Sequence, residues 1–112
     1  MAAIPSIEID VEGVSALRAA GEPLCLVDCR EPDEHAIASI PGAVLIPLGQ
    51  LPDRLAEIMP HAAGHVVVHC HHGGRSLRAA RFLRERGIAT AQSMAGGIDA
   101  WSQRIDPATP RY

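Results

Sequence analysis

The sequence predicts an α/β fold, in which a mainly parallel sheet of five strands is flanked by helices. Short apolar stretches with strand-like patterns alternate along the chain with stretches whose apolar residues recur every three or four positions. Such alternation favours parallel strands joined by right-handed helical crossovers. The 112 residues, 47% of them hydrophobic, suffice for one compact core, so we expect a single domain over 1–112.

Turn and capping residues mark where the elements begin and end. Asp10 is a candidate helix cap, Pro32 is tolerated in a first helical turn, and Gly21 and Gly87 are expected to end helices. In chain order we expect strand 6–9, helix 10–20, strand 24–28, helix 33–38, strand 43–46, helix 51–58, strand 65–69, helix 76–86, strand 89–93 and a helical turn at 99–103.

Composition argues against two classes of partner. A formal net charge of -3 is unsuited to nucleic acid, because phosphate binding needs a basic face. No apolar run is long enough to span a membrane. The first five residues lack the charged start and apolar core of a secretory signal, so we expect a cytoplasmic protein.

The three cysteines leave at least one thiol free, whatever the others do. Cys25 and Cys29 fall within one extended stretch, 24–29, where four residue steps separate their Cα atoms by roughly 13 Å. A disulfide tolerates at most about 7 Å. They therefore cannot bridge each other, and we interpret both as small buried hydrophobic residues.

Cys70 lies where a buried strand ends and a helix is about to begin. The crevice at the carboxyl ends of parallel strands is where ligands bind, and backbone N–H groups there point toward the next helix's amino terminus. Gly73 and Gly74 allow a tight curl, so that several amides converge on the Cys70 sulfur. This arrangement predicts a thiolate with a lowered pKa.

These residues resemble the rhodanese family of sulfurtransferases. The resemblance includes His-Cys-His-His-Gly-Gly-Arg-Ser at 69–76, Leu-Val-Asp-Cys-Arg-Glu-Pro at 26–32, Ile-Pro-Gly-Ala at 40–43 and Gly-Gly-Ile-Asp-Ala-Trp at 96–101. The order and spacing match along essentially the whole chain, which implies the three-layer rhodanese-like fold. Residues 105–112 are also similar to the terminus of rhodanese domains fused to enzymes that activate ubiquitin-like sulfur carriers.

The resemblance implies that Cys70 is the nucleophile of a double displacement. Its thiolate would take the outer sulfur of a donor such as thiosulfate and hold it as a persulfide until a thiol or cyanide removes it. No metal ion or organic cofactor is required. The expected partners are small sulfur donors and acceptors, and the likeness at the carboxyl terminus adds a sulfur-carrier protein.

The resemblance also implies that residues 71–76 bind the substrate. The amides of this loop would stabilise negative charge on the terminal sulfur. Arg75 has two open roles: it adds positive charge to a bound anion, or it pairs with Glu31 or Glu34 and fixes the loop. Ser76 is interpreted as the helix cap. His71 and His72 occupy positions that tune substrate choice in the family, unless they are simply solvated.

His69 is expected to point away from Cys70, because side chains alternate along a strand. That direction argues against general-base work for His69. A zinc site built from residues 69–72 is disfavoured as well, because four consecutive residues seldom all reach one tetrahedral ion. We therefore predict no metal site.

Asp28 and Arg30 follow the neighbouring strand and face the same crevice. We expect them to form an ion pair that supports the site, although Arg30 matches a family position that can lie near the substrate. The sequence departs from the family pattern at two places: Glu34 replaces an arginine of some thiosulfate-handling members, and Ser39 replaces a common histidine. Trp101 is expected to anchor the terminal turn in the core.

Two other functions compete with sulfur transfer. Phosphatases of the same fold also use a cysteine and a terminal arginine, but their loop is one residue longer. Here four residues separate Cys70 from Arg75, which favours sulfur transfer. The second alternative is a relay or regulatory rhodanese-like module, although regulatory modules often lack the cysteine.

Overall fold

A computed structural model describes residues 4–112 and contains a five-stranded sheet that is parallel throughout. In space the strands follow the order β1-β5-β4-β2-β3. Their bounds are β1 Glu8–Ile9, β2 Leu24–Asp28, β3 Val44–Leu45, β4 His65–His69 and β5 Gln92–Met94. The predicted α/β class with five strands is confirmed, and β4 and β2 lie side by side in the interior of the sheet.

Four α-helices connect or follow the strands, with bounds α1 Val11–Ala19, α2 Pro32–Ile37, α3 Gly74–Glu85 and α4 Gly97–Arg104. The caps predicted at Asp10 and Gly87 are present. The Asp10 carboxylate accepts a hydrogen bond of 2.7 Å from the Gly13 amide, and Gly87 follows α3 with φ +97°. Within residues 4–112, none of the helices is both long enough and apolar enough to cross a bilayer.

The sheet separates two hydrophobic layers, because successive side chains of a strand point to opposite faces. On one face, Val27 and Val68 pack in a cluster with Ala79 and Leu83 of α3. On the other, Leu26 and Val67 share a cluster with Val14 of α1 and Trp101 of α4. Three layers result, and Trp101 is buried as predicted.

Several predicted boundaries were wrong. The helix expected over 51–58 is replaced by 3₁₀ turns at Leu48–Gln50, Leu55–Glu57 and Met59–His61. The backbone leaves the α-helical region at Arg54, with φ -113° and ψ 15°, so no regular α-helix forms over this stretch. The strand expected at 89–93 is shorter and shifted, to Gln92–Met94, and α3 begins two residues before the predicted start at Ser76.

Candidate active site

Cys70 lies immediately beyond β4, at the base of the loop that leads into α3. Its side chain is 1% exposed, in the hydrophobic cluster on the α3 face of the sheet. The loop turns at Gly73, whose φ of +115° is a conformation that L-residues rarely adopt. Gly74 has no such requirement and is the first residue of α3. The predicted role of glycine in curling the loop therefore applies to Gly73.

Three polar groups surround the Cys70 sulfur. The Gly73 amide donates a hydrogen bond to Sγ at 3.1 Å, and the Ser76 amide donates one at 3.4 Å. The Ser76 hydroxyl lies 3.4 Å from the same sulfur. Ser76 therefore lies inside the first turn of α3 and faces the sulfur, whereas the predicted cap position belongs to Gly73. That part of the interpretation of Ser76 was wrong.

Ser93 is a contributor that the sequence did not reveal. It is fully buried on β5, and its hydroxyl lies 2.7 Å from that of Ser76. Ser76 also contacts the Gly73 carbonyl at 3.1 Å. A donor at Ser93 frees the single Ser76 proton for the Cys70 sulfur or for that carbonyl.

Cys29 is a neighbour of Cys70 that the sequence did not reveal. Strands β2 and β4 pair with Asp28 opposite His69, and the Cys29 amide donates to the His69 carbonyl at 3.0 Å. The next positions, Cys29 and Cys70, therefore lie side by side. The neighbouring Cys29 thiol is the largest cause that lowers the pKa of the Cys70 thiol; burial opposes this effect, and hydrogen bonds from Ser76 and Gly73 reinforce it. Conversely, the neighbouring Cys70 and burial raise the pKa of Cys29.

Helix α4 is bonded to the backbone of the Cys70 loop. The amides of Ile98 and Asp99, in the first turn of α4, donate to the carbonyls of Cys70 and His71 at 2.9 and 3.1 Å. Gly97 makes this approach possible: a Cβ there would lie 2.3 Å from the His71 carbonyl oxygen and 2.6 Å from that of Cys70. The Gly-Gly motif at 96–97 therefore contributes close backbone packing to the site.

Asp28 and Arg30 form a fully buried ion pair beside the loop. The guanidinium donates from Nε to Oδ1 at 2.9 Å and from NH2 to Oδ2 at 2.7 Å. Burial would raise the pKa of Asp28, but the Arg30 hydrogen bonds and the contacts with His69 and His35 lower it to about 2. Arg30 also donates to the carbonyls of Glu34 and Ala38. It is 0% exposed, which places it in a supporting position away from solvent.

Arg75 is paired with Glu34 through two hydrogen bonds, at 2.7 and 2.9 Å. This pair is partly exposed, and the Arg75 hydrogen bond is the main reason that the pKa of Glu34 falls to about 2. The Tyr112 hydroxyl donates to the same carboxylate at 2.9 Å and accepts from Arg30 at 2.7 Å. The contacts fit the bracing role of Arg75 more closely than direct anion binding, and Tyr112 is a further neighbour that the sequence did not reveal.

His71 and His72 form the outer surface of the site. Their rings stack on each other with centroids 4.0 Å apart, and Tyr112 stacks on His71 at the same distance. His72 is 69% exposed and lies 3.8 Å from the Asp99 carboxylate. One ligand atom from each of His71, His72 and Asp99 lies within 4.8 Å of the others. The disfavoured zinc set differs from this cluster, because His69 is buried near Asp28, with 4.0 Å between Nε2 and Oδ1.

The fold and the site together define an α/β protein that holds a buried cysteine at the end of a parallel strand, with two loop amides donating hydrogen bonds to its sulfur. The chain belongs to the rhodanese-like domain family, whose model matches residues 10–104. A solved rhodanese-like domain protein from Staphylococcus aureus superimposes with a TM-score of 0.80 at 26% identity, covering 96% of this chain and 99% of that one. The predicted family and three-layer fold are thereby confirmed.

Sulfurtransferases are among the relatives. The chain is 38% identical over 96 residues to a protein named "Sulfurtransferase" from Allochromatium vinosum, with 86% of this chain and 88% of that protein covered. It is 41% identical over 97 residues to "Adenylyltransferase and sulfurtransferase MOCS3-2" of Zea mays. That match covers 82% of this chain and only 20% of the maize protein, so the chain spans a fifth of that relative's length.

Proposed function

We propose that this chain transfers a sulfane sulfur from a small anionic donor such as thiosulfate, through a Cys70 persulfide, to a thiol or cyanide. The supporting observation is the surroundings of Cys70 Sγ, which has two backbone amides and one hydroxyl within 3.1 to 3.4 Å. Hydrogen-bond donors around a sulfur stabilise its anionic form. They also favour the anion that remains after a sulfur atom has been added.

The first step loads the enzyme. The Cys70 thiolate attacks the outer sulfur of thiosulfate, a new S–S bond forms, and the original S–S bond breaks. Sulfite leaves with the electron pair of that bond. Cys70 then carries a persulfide, and the loop amides stabilise the charge that has moved one atom outward.

The second step removes the outer sulfur from the Cys70 persulfide. A thiolate or cyanide attacks the outer sulfur of the persulfide, and the bond to Cys70 breaks. Cys70 leaves as a thiolate, so the nucleophile is regenerated in the form that the site stabilises. Cyanide becomes thiocyanate, and a thiol acceptor becomes a new persulfide.

The identity of the acceptor separates a free enzyme from a relay module. The maize relative, whose name includes "sulfurtransferase", is a longer protein, and the matched region covers 20% of its length. Delivery to a partner protein, such as a sulfur carrier, is therefore the second form of the same chemistry. The exposed imidazole of His72 and the partly exposed imidazole of His71, both in the Cys70 loop, are available to such an acceptor or to an anionic donor.

The test is mass spectrometry of protein incubated with thiosulfate. The wild-type protein should gain one sulfur atom, located at Cys70, and then release thiocyanate when cyanide is added. Cys70→Ser should gain none. Cys25→Ser alters a thiol in the same hydrophobic cluster but on β2, away from the loop, and should take up sulfur normally. Sulfur uptake by Cys70→Ser at the wild-type level would reject the proposal.

The same preparations should be assayed with p-nitrophenyl phosphate. Four residues separate Cys70 from Arg75, and the Arg75 guanidinium is already engaged by Glu34. A phosphoryl group has three oxygens that each need a donor. Negligible hydrolysis is expected, and robust hydrolysis that disappears in Cys70→Ser would favour a phosphatase instead.

A further inference from the structure

The two thiols at the ends of β2 and β4 occupy equivalent places on neighbouring strands. Cys25 pairs with Val66 and Val27 with Val68, and all four side chains belong to the cluster on the α3 face. Continuing this register by one pair brings Cys29 beside Cys70, again on that face. Neighbouring parallel strands lie about 4.8 Å apart. The two sulfurs are therefore held next to each other by the sheet itself.

We infer that Cys29 is a positioning residue for Cys70, with its thiol donating a hydrogen bond to the Cys70 thiolate from the side of the sheet. This inference takes Cys70 as the nucleophile and so rests on the proposed function. The loop amides and the Ser76 hydroxyl approach the same sulfur from α3. Cys29 completes this arrangement from β2, where the backbone supplies no further N–H to the sulfur because the Cys29 amide is bonded to His69.

Burial prevents the two thiols from ionising together. Each residue is 1% exposed, so two thiolates side by side would repel each other in a medium with little screening. One proton is therefore retained by the pair. The amides surround Cys70 and not Cys29, so the negative charge resides on Cys70 and the proton on Cys29. The lowered pKa of Cys70 and the raised pKa of Cys29 agree with this division.

The contribution of Cys29 should be greatest before sulfur is loaded. In the free enzyme the full negative charge lies on Cys70 Sγ, next to the Cys29 S–H. After sulfur uptake the charge moves to the outer sulfur, one bond further away. A hydrogen bond that favours the thiolate therefore helps to ionise and orient the nucleophile at low pH, and removing it should raise the pH at which sulfur uptake begins.

The experiment titrates the thiolate by its ultraviolet absorbance. Cys29→Ala and Cys29→Val both remove the donor, and Val keeps an apolar side chain of useful volume should Ala fail to fold. Cys29→Ser retains an O–H donor. Each is measured with and without Cys70→Ser, so that the difference reports Cys70 alone. Cys25→Ala, on β2 and in the same hydrophobic cluster as Cys29, is the matched control for the loss of a buried thiol.

Loss of the donor should increase the proton affinity of Cys70 by about tenfold to a hundredfold, because hydrogen bonds to charged groups are among the stronger ones. Cys29→Ser should restore most of the difference, and Cys25→Ala should titrate as the wild type does. Sulfur uptake measured against pH should shift in parallel in Cys29→Ala, with its maximal rate at high pH retained.

An unchanged Cys70 titration in folded Cys29→Ala or Cys29→Val would overturn the inference. So would an equal shift in Cys25→Ala, because the effect would then come from core packing in general. The titration needs no sulfur donor. If the titration shifts in a protein that takes up no sulfur, the proposed function is rejected and the hydrogen bond is established. If sulfur transfer is normal and the titration does not shift, the hydrogen bond is rejected and the proposed function stands.

Discussion

The side of the Cys70 loop that faces the core and the side that faces solvent are built in different ways. On the core side the contacts come from backbone amides and from small buried groups, namely Ser76, Ser93 and Cys29. On the solvent side they come from aromatic side chains that are exposed or partly exposed, namely His71, His72 and Tyr112. The first set has almost no conformational freedom, whereas the second can rearrange around a ligand.

This contrast predicts that chemistry and selectivity depend on different groups of residues. Stabilisation of an anionic sulfur needs donors that are fixed before the reaction begins, since any reorganisation is paid during the reaction. Recognition of varied donors or acceptors tolerates adjustable groups. We therefore expect substitutions beneath the loop to affect stability or rate strongly, and substitutions above it to affect mainly substrate affinity.

The largest effect is expected from Asp28→Asn, which removes the charge that neutralises the buried Arg30 guanidinium. An uncompensated buried charge should lower the free energy of unfolding by about 3 to 5 kcal/mol, measured by urea denaturation at neutral pH. Glu57→Gln, which breaks the exposed pair with Arg54, is the control and should change little. Equal losses in the two variants would contradict the contrast between buried and exposed contacts.

The same ion pair predicts how stability depends on pH. The pKa of Asp28 is lowered to about 2 in the folded state, whereas an unfolded aspartate has a pKa of about 3.9. Its contribution is therefore complete above about pH 4 and is lost as the pH falls toward 2. Asp28→Asn should show a shallower acid slope in urea midpoints than the wild type. The remaining slope would include Glu34, whose pKa is also lowered to about 2.

Gly97→Ala should disturb the loop itself. The new Cβ would meet the carbonyl oxygens of Cys70 and His71, and both belong to the backbone, so the loop must move. A displacement near 1 Å at the reacting group reduces rates by about a hundredfold, which sulfur-transfer kinetics should reveal. Gly87→Ala carries similar strain, with φ +97° and nothing within 4 Å, and should retain activity. Comparable rates in the two variants would refute the role of close packing.

The smallest effect is expected from the double substitution of His71 and His72 by Ala. If these side chains help to hold an anionic donor, the apparent KM for thiosulfate should rise by about threefold to tenfold with kcat nearly unchanged, because uniform binding has been removed. Steady-state kinetics at pH 6 and pH 8 would show a larger effect at pH 6, where imidazole carries more charge. A lower kcat with unchanged KM would instead indicate that these residues act on the chemical step, as the groups on the core side do.

Local signals in the sequence predicted much of the fold and the place of Cys70 within it. The Asp10 cap, the β4 bounds and the position of Cys70 at a strand end follow from patterns a few residues long. Ser93 and Tyr112 could not be found in this way, because their contacts with Ser76 and Glu34 join residues 17 and 78 positions apart. Their placement depends on how the elements pack, which periodicity does not encode.

Cys29 is an intermediate case. Its spacing from Cys25 identifies it only as a small buried thiol, because spacing along one strand carries no information about the neighbouring strand. Both predicted interior strands are five residues long and are followed directly by a cysteine. Pairing them in register would have placed the two thiols together. The signal was present, but it became informative only once the strands were known to be neighbours.

The two outermost strands of the sheet have only two residues each, Glu8–Ile9 and Val44–Leu45. A strand this short offers few unpaired backbone groups on which another chain could extend the sheet, so it is a poor template for aggregation. The apolar strands β2 and β4, which lead directly to Cys29 and Cys70, each lie between two other strands of the sheet. Variants that are loosened beneath the loop should therefore lose function while remaining dispersed in solution, unless they unfold far enough to release β2 or β4.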